Sequence, residues 1–116
     1  MTNFQHRDLA SGRWKRMPLD EQMANVGSEV ERAISWKEKG NQEYSGMAFE
    51  RALELLSLTK SSQQSEPTLK EVSRVYEMMV DFFKGENRFG SSDQLWRNYF
   101  NSFAYLSAKK RLSNTA

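Results

Sequence analysis

The sequence lacks several residue types that build recognisable sites, and each shortage excludes a class of protein. Its 116 residues contain no cysteine, two prolines and a single histidine, His6. Without cysteine, the chain forms neither a disulfide framework nor a thiolate zinc site, and it has no thiol nucleophile. This composition fits the reducing conditions of the cytoplasm, where we expect the protein to be located.

Long apolar runs are absent as well. No stretch approaches the about 18 consecutive apolar residues that a membrane-spanning helix needs, and the opening residues MTNFQHRDLASG lack the apolar segment of a signal peptide. The sequence therefore predicts a soluble protein without a membrane partner. Glycine-rich phosphate loops, nucleophile elbows and zinc-protease signatures do not occur either, so we predict no catalytic residue, no cofactor and no metal site.

The sequence does contain four stretches in which apolar residues recur every three or four positions, as on one face of a helix. They predict helices over about 19–39, 42–60, 67–84 and 92–111. Four amphipathic helices joined by short connections predict an all-α fold, an antiparallel up-and-down four-helix bundle. We assign residues 18–112 to this bundle domain and residues 1–17 to a basic N-terminal arm.

The same periodicity predicts which side chains form the core. Gly27 lies inside helix one beside the small residues Ala24 and Ser28. Because glycine has no side chain, we expect a neighbouring helix to approach closely there. The inward face of helix two begins at Tyr44. The inward set of helix four is Leu95, Trp96, Tyr99, Phe103 and Leu106.

Positive charge is concentrated at the two ends of the chain. The net charge is +2, but residues 1–17 carry +3, residues 18–108 carry −4 and residues 109–111 carry +3. Basic residues beside an aromatic one can hold phosphates and stack bases. The alternative, which we favour because the acidic body repels a polyanion, is that Phe4, Leu9 and Trp14 anchor the arm on its own domain or on another subunit. The residues of the nucleic-acid patch would be Arg13, Lys15, Arg16, Lys109, Lys110 and Arg111.

A polar seam follows one flank of the apolar stripe on helix one. Its members are Gln22, Asn25, Glu29, Arg32 and Trp36. Glu29 should border the core, where a carboxylate without a partner is costly, so we expect Arg32, Arg51 or Arg97 to pair with it. The seam is either a device that fixes helix register or a binding site, and the first interpretation is favoured.

Several apolar residues fall outside the predicted inward faces. Val75, Met78 and Phe82 form a row on helix three, and Met47 and Leu58 lie to one side of the stripe on helix two. A row of apolar residues along one helix indicates a second surface that another molecule covers. We favour this interpretation over two alternatives, a core-facing stripe wider than ideal helical geometry allows and an N-terminal arm that lies on the row. We therefore predict partner binding through Val75, Met78, Phe82 and Trp14, with a homodimer or a protein partner as the ligand.

The segments RDLASGRWKRMPLDEQMANVGSEVERAISWKEKGN and AFERALELLSLT, followed by an FGSS turn, resemble a group of small uncharacterised prokaryotic helical-bundle proteins. This resemblance covers most of the chain and implies no particular activity. In architecture the chain is also similar to HEPN domains and to the substrate-binding subunits of minimal nucleotidyltransferases. HEPN ribonucleases carry a histidine shortly after an arginine. Arg97 is followed by NYFNSFAY, so the resemblance does not imply ribonuclease activity.

Taken together, the residues favour a non-catalytic helical-bundle protein that acts through self-association or partner docking. The alternative is a nucleic-acid-binding accessory module that uses both basic ends. An enzyme or nucleotide-binding domain built on Glu29, Arg32 and Arg97 is the weakest hypothesis.

Overall fold

The computed structural model describes residues 12–63 and 65–114; residues 1–11 of the predicted arm, including His6, lie outside the described residues. A short 3₁₀ turn over Trp14–Arg16 is followed by four helices. They are α1 at Leu19–Glu38, α2 at Gln42–Ser61, α3 at Glu66–Lys84 and α4 at Asp93–Asn114. No strand occurs in the described residues, and the prediction of an all-α fold with four helices is confirmed.

The turn between α1 and α2 is tight because glycine and asparagine end one helix and begin the next. Gly40 has a φ of 79°, and the Asn41 N–H donates back to the Trp36 carbonyl at 2.9 Å. These are the features of a Schellman ending, in which glycine adopts the left-handed conformation at low cost. Asn41 then caps α2, since its Oδ1 accepts the Tyr44 N–H at 3.0 Å. The turn therefore brings the end of α1 beside the start of α2.

Helix α1 is the centre of the fold and packs against both α2 and α4, while α3 packs on α2. One face of α1 is buried, with Ala33 and Ile34 fully inaccessible to solvent. The shared core is completed by the 3₁₀ turn and by the inner faces of the other helices. Its buried residues are Trp14, Met23, Val26, Val30, Ala33, Ile34, Ala48, Phe49, Ala52, Leu55, Leu56, Val72, Val75, Met79, Trp96 and Phe100.

A charged clamp holds α4 on the outer side of α1. Arg97 donates from Nε to Glu31 at 2.8 Å and from Nη2 to Glu38 at 2.9 Å. Because Glu31 and Glu38 are seven residues apart, they lie two turns apart on the same side of α1. The hydrogen bond from Arg97 lowers the pKa of the Glu38 carboxyl below its ordinary value. Arg97 therefore joins α4 to α1.

The described part of the arm folds back onto the domain. Trp14 is 1% exposed, and its Nε1 donates to Thr59 Oγ1 at 3.0 Å. Gln22 closes the contact from α1 by donating from Nε2 to the Trp14 carbonyl at 2.8 Å. The prediction that Trp14 anchors the arm is confirmed for its own domain. The expectation that its side chain contacts a partner is wrong, since the core of the same chain already covers the indole.

Candidate functional site

Glu29 is a buried carboxylate that lies at the centre of a polar cluster between α1 and α2. Its residue is 7% exposed, and its two carboxylate oxygens accept from different arginines. Arg32 Nη1 lies 2.7 Å from Oε1, and Arg51 Nε lies 3.1 Å from Oε2. The prediction that an arginine pairs with Glu29 is confirmed for Arg32 and Arg51. Arg97 instead forms salt bridges with Glu31 and Glu38.

A shallow pocket opens next to this cluster, where α1 ends and α2 begins. Trp36, Tyr44, Met47 and Arg51 line about 270 Å³ of space. Trp36 and Tyr44 meet edge to face with their ring centroids 4.9 Å apart. The volume falls below the roughly 300–1,000 Å³ of small-molecule sites, and Trp, Tyr, Met and Arg are the residue types enriched in protein interfaces. We call the surface formed by Glu29, Arg32, Trp36, Tyr44, Met47 and Arg51 the α1–α2 face.

Two apolar side chains of the α1–α2 face remain about half exposed to solvent. Tyr44 is 47% exposed and Met47 is 45% exposed. Leu58, three turns further along α2, is partly buried against the core. Met47 and Leu58 were predicted to lie off the core stripe, and this is confirmed for Met47. Tyr44 was expected to face inward, and this expectation is wrong.

Opposite charges lie on the two sides of the exposed Tyr44 and Met47. The side towards α1 carries Arg32, Lys39 and Arg51, and the Lys39 ammonium lies 4.9 Å from the centre of the Trp36 ring. The side away from α1 carries Glu43 and Glu50, which are exposed. Helical geometry places these two carboxylates about 40–60° round the α2 axis from Met47. The surface therefore has a basic edge, an apolar centre and an acidic edge.

The five residues of the predicted polar seam do not act as one unit. Glu29, Arg32 and Trp36 belong to the α1–α2 face. Gln22, 2% exposed, instead holds the Trp14 turn and also donates to Ser62 Oγ at 3.3 Å. Asn25 is exposed and donates to the Glu21 carbonyl within α1 at 2.9 Å.

The predicted row on helix three lies largely inside the molecule. Val75 is 5% exposed and belongs to the core, so the expectation that it lies on a second surface is wrong. Met78 and Phe82 are partly buried against the same core. Phe82 also packs edge to face on Phe83 with centroids 5.0 Å apart. The core is wider on α3 than the predicted stripe because α3 contacts α4 as well as α2: the Tyr99 hydroxyl donates to Glu71 at 3.2 Å.

The two basic segments meet at one end of the domain, which we call the basic end. Lys110 Nζ on α4 lies 3.1 Å from Asp20 Oδ1 at the start of α1. Arg111 lines a groove between the two helices together with Glu21. The basic end comprises the residues predicted as a nucleic-acid patch, Arg13, Lys15, Arg16, Lys109, Lys110 and Arg111, all of which are exposed.

The three residues of the enzyme or nucleotide-binding hypothesis, Glu29, Arg32 and Arg97, do not form one site. Glu29 and Arg32 are neighbours, whereas Arg97 binds Glu31 and Glu38 across the α1–α4 contact. The groove between α1 and α4 is lined by small residues, among them Ala24, Ser28 and Ala104, and by larger charged and aromatic ones, among them Glu31, Arg32 and Phe100. Within residues 12–63 and 65–114, no three Asp, Glu or His side chains lie close enough to hold a metal ion.

Comparisons of this chain with protein-family models, with curated proteins and with solved structures match nothing. The resemblances inferred from the sequence, to small prokaryotic helical bundles and to HEPN domains, stay predictions. Over residues 12–63 and 65–114, the structure establishes an all-α fold with four helices. Among the helices it describes, none has the length and apolarity needed to cross a membrane.

Proposed function

We propose that the protein acts through protein–protein interaction and that its α1–α2 face binds a second copy of the chain. The observation that carries the proposal is the order of the side chains across this face. A basic edge of Arg32, Lys39 and Arg51, an apolar centre of Tyr44 and Met47, and an acidic edge of Glu43 and Glu50 run side by side. A surface with this order is complementary to itself, as an isologous dimer interface must be.

The charges select one orientation of the two copies. A two-fold axis parallel to α2 turns the acidic edge of one copy onto the basic edge of the other, so Glu43 and Glu50 face Arg32, Lys39 and Arg51. An axis across α2 would place like charges opposite each other, which is unfavourable. The favoured dimer therefore has its two α2 helices side by side and parallel.

The face is also held in shape before binding. Glu29 fixes both arginines, and the Trp36–Tyr44 contact restrains both rings. Side chains that are already ordered lose little conformational entropy in an interface, so more of the contact energy stabilises the complex. Trp, Tyr and Arg are also the residues that most often dominate binding energy.

The mass in solution tests the proposal. We expect light scattering to give twice the chain mass of 13.5 kDa, and we expect Met47→Glu and Met47→Lys both to give the monomer mass. Either charge would be desolvated in the interface, so the pair separates loss of contact from a change in net charge. Leu112→Glu is the matched control, because Leu112 is 73% exposed and lies near the end of α4.

Two results would contradict the proposed dimer or its interface. A wild-type protein that has the mass of one chain at all concentrations would overturn the dimer. A dimer that survives both Met47 variants would remove the α1–α2 face from the interface. Far-UV circular dichroism confirms that each variant remains helical, and we expect no change because Met47 is a half-exposed helical residue.

A further inference from the structure

The basic end differs from the rest of the surface in its excess of positive charge. Its six basic residues are accompanied by two carboxylates from the first turn of α1, Asp20 and Glu21. One of these carboxylates is already engaged with Lys110. Between residues 12 and 114, with residue 64 left aside, no salt bridge within 4.0 Å joins Arg13, Lys15, Arg16 or Lys109 to a described carboxylate.

The two halves of the basic end are held together by specific contacts. Buried Trp14 fixes the turn that carries Arg13, Lys15 and Arg16, while the Lys110–Asp20 pair fixes the end of α4. Arg16 precedes Asp20 by four residues, so a chain of that length keeps their Cα atoms within about 14 Å. The positive charges are therefore close together even though they come from opposite ends of the sequence.

We propose that the basic end binds the phosphodiester backbone of a nucleic acid. Lysine and arginine side chains that neutralise phosphates release condensed counterions, and this supplies affinity without reading sequence. The outer surface of α2, with Glu43 and Glu50, repels such a polyanion, so binding occurs end-on at this one place. The inference is independent of self-association through the α1–α2 face.

An anionic membrane would also attract these charges, but the geometry favours a nucleic acid. A membrane-binding helix needs apolar residues on the same side as its basic ones. Tyr105 and Leu112 are exposed on the same side of α4 as Lys109. The turn over Trp14–Arg16, beside which Arg13 lies, has its one apolar side chain, Trp14, buried at 1% exposure. The half of the basic end formed by Arg13, Lys15 and Arg16 therefore has no exposed apolar side chain to insert into a membrane.

Fluorescence anisotropy with labelled 20-nucleotide RNA, single-stranded DNA and duplex DNA tests the inference. If six phosphates are contacted, the plot of log K against log salt has a slope of about −4 for single strands and about −5 for the duplex. The triple variant Lys15→Gln, Arg16→Gln and Lys109→Gln should reduce the single-strand slope by about 2. Comparison of the three probes shows whether the backbone of RNA or of DNA is preferred.

The matched control removes three exposed charges elsewhere, as Arg74→Gln, Lys84→Gln and Arg88→Gln, and we expect its slope to be unchanged. Equal losses in the two triple variants would show that binding follows net charge, which would overturn the inference. Wild-type protein that binds none of the probes at low salt would also overturn it. So would binding to vesicles containing phosphatidylserine without binding to any nucleic acid.

Discussion

Gly27 of α1 and Phe100 of α4 lie in direct contact in the groove that the two helices share. A Cβ atom built on Gly27 would lie 2.6 Å from the Phe100 Cβ. No real Cβ tolerates that separation, so only glycine permits this packing. Phe100, which is 4% exposed, fills the space that the missing side chain leaves.

Gly27→Ala is therefore expected to destabilise the protein by about 1–3 kcal/mol, as overpacked cores do. The control is Gly46→Ala on α2, where the nearest atom to a new Cβ is the flexible Lys84 Nζ at 3.8 Å. Alanine favours a helix over glycine by up to about 1 kcal/mol, so this variant should be at least as stable as the wild type. Urea unfolding measures both. Equal stability of the two variants would contradict the close contact.

Thr59→Val tests the attachment of the arm. Valine keeps the shape of threonine but leaves Trp14 Nε1 buried without an acceptor, which should cost about 1–3 kcal/mol. Thr59→Ser retains the hydroxyl and loses one methyl group, so its cost should be about 0.8 kcal/mol. The free energy of unfolding, measured in urea, should therefore fall further for valine than for serine. The reverse order would show that the Trp14–Thr59 hydrogen bond does not hold the arm.

Tyr99 should make the fold sensitive to alkali. Burial raises the pKa of its phenol above the ordinary value of 10.0, and the neighbouring Glu71 carboxylate raises it further. Above pH 10 the unfolded chain loses this proton more readily than the folded one, so the stabilisation is complete below pH 10 and declines as the pH rises further. Stability measured from pH 8 to 11 should fall less steeply for Tyr99→Phe than for the wild type. Parallel pH profiles would show that Tyr99 ionises equally easily in both states.

Much of the architecture could be predicted from the sequence because capping residues and helical periodicity are local signals. Gly40 and Asn41 mark the end of α1 and the start of α2, and the structure shows both in those roles. The rotation of each helix about its own axis was harder to predict. Leu95 and Leu106 were expected to face inward but are 42% and 46% exposed, while Phe100 was missed. Gly27 signalled a close approach, but periodicity within α1 does not specify which side chain of another helix fills the gap.

The candidate surface shows the same division between local and long-range signals. The sequence identified Glu29, Arg32 and Trp36 as a seam and Met47 as an apolar residue off the core. It could not place them together, because their contact depends on the turn at Gly40 and on the pairing of Arg51 with Glu29. Tyr44 fits the apolar period of α2, but it lies in the first turn, where the end of α1 places Trp36 against it.

The most direct test of the proposed self-association is cross-linking through single introduced cysteines, which the absence of native cysteine makes unambiguous. In the parallel dimer, Met47 lies near its own copy, and so does Leu58, which is about 20° from Met47 round the α2 axis. Met47→Cys and Leu58→Cys should therefore each form a disulfide-linked dimer on mild oxidation. These positions are about 16 Å apart along α2, too far for an antiparallel pair to link both to themselves. Leu112→Cys should remain monomeric under the same conditions. Met47→Cys and Leu58→Cys that link no faster than Leu112→Cys would contradict the proposed dimer.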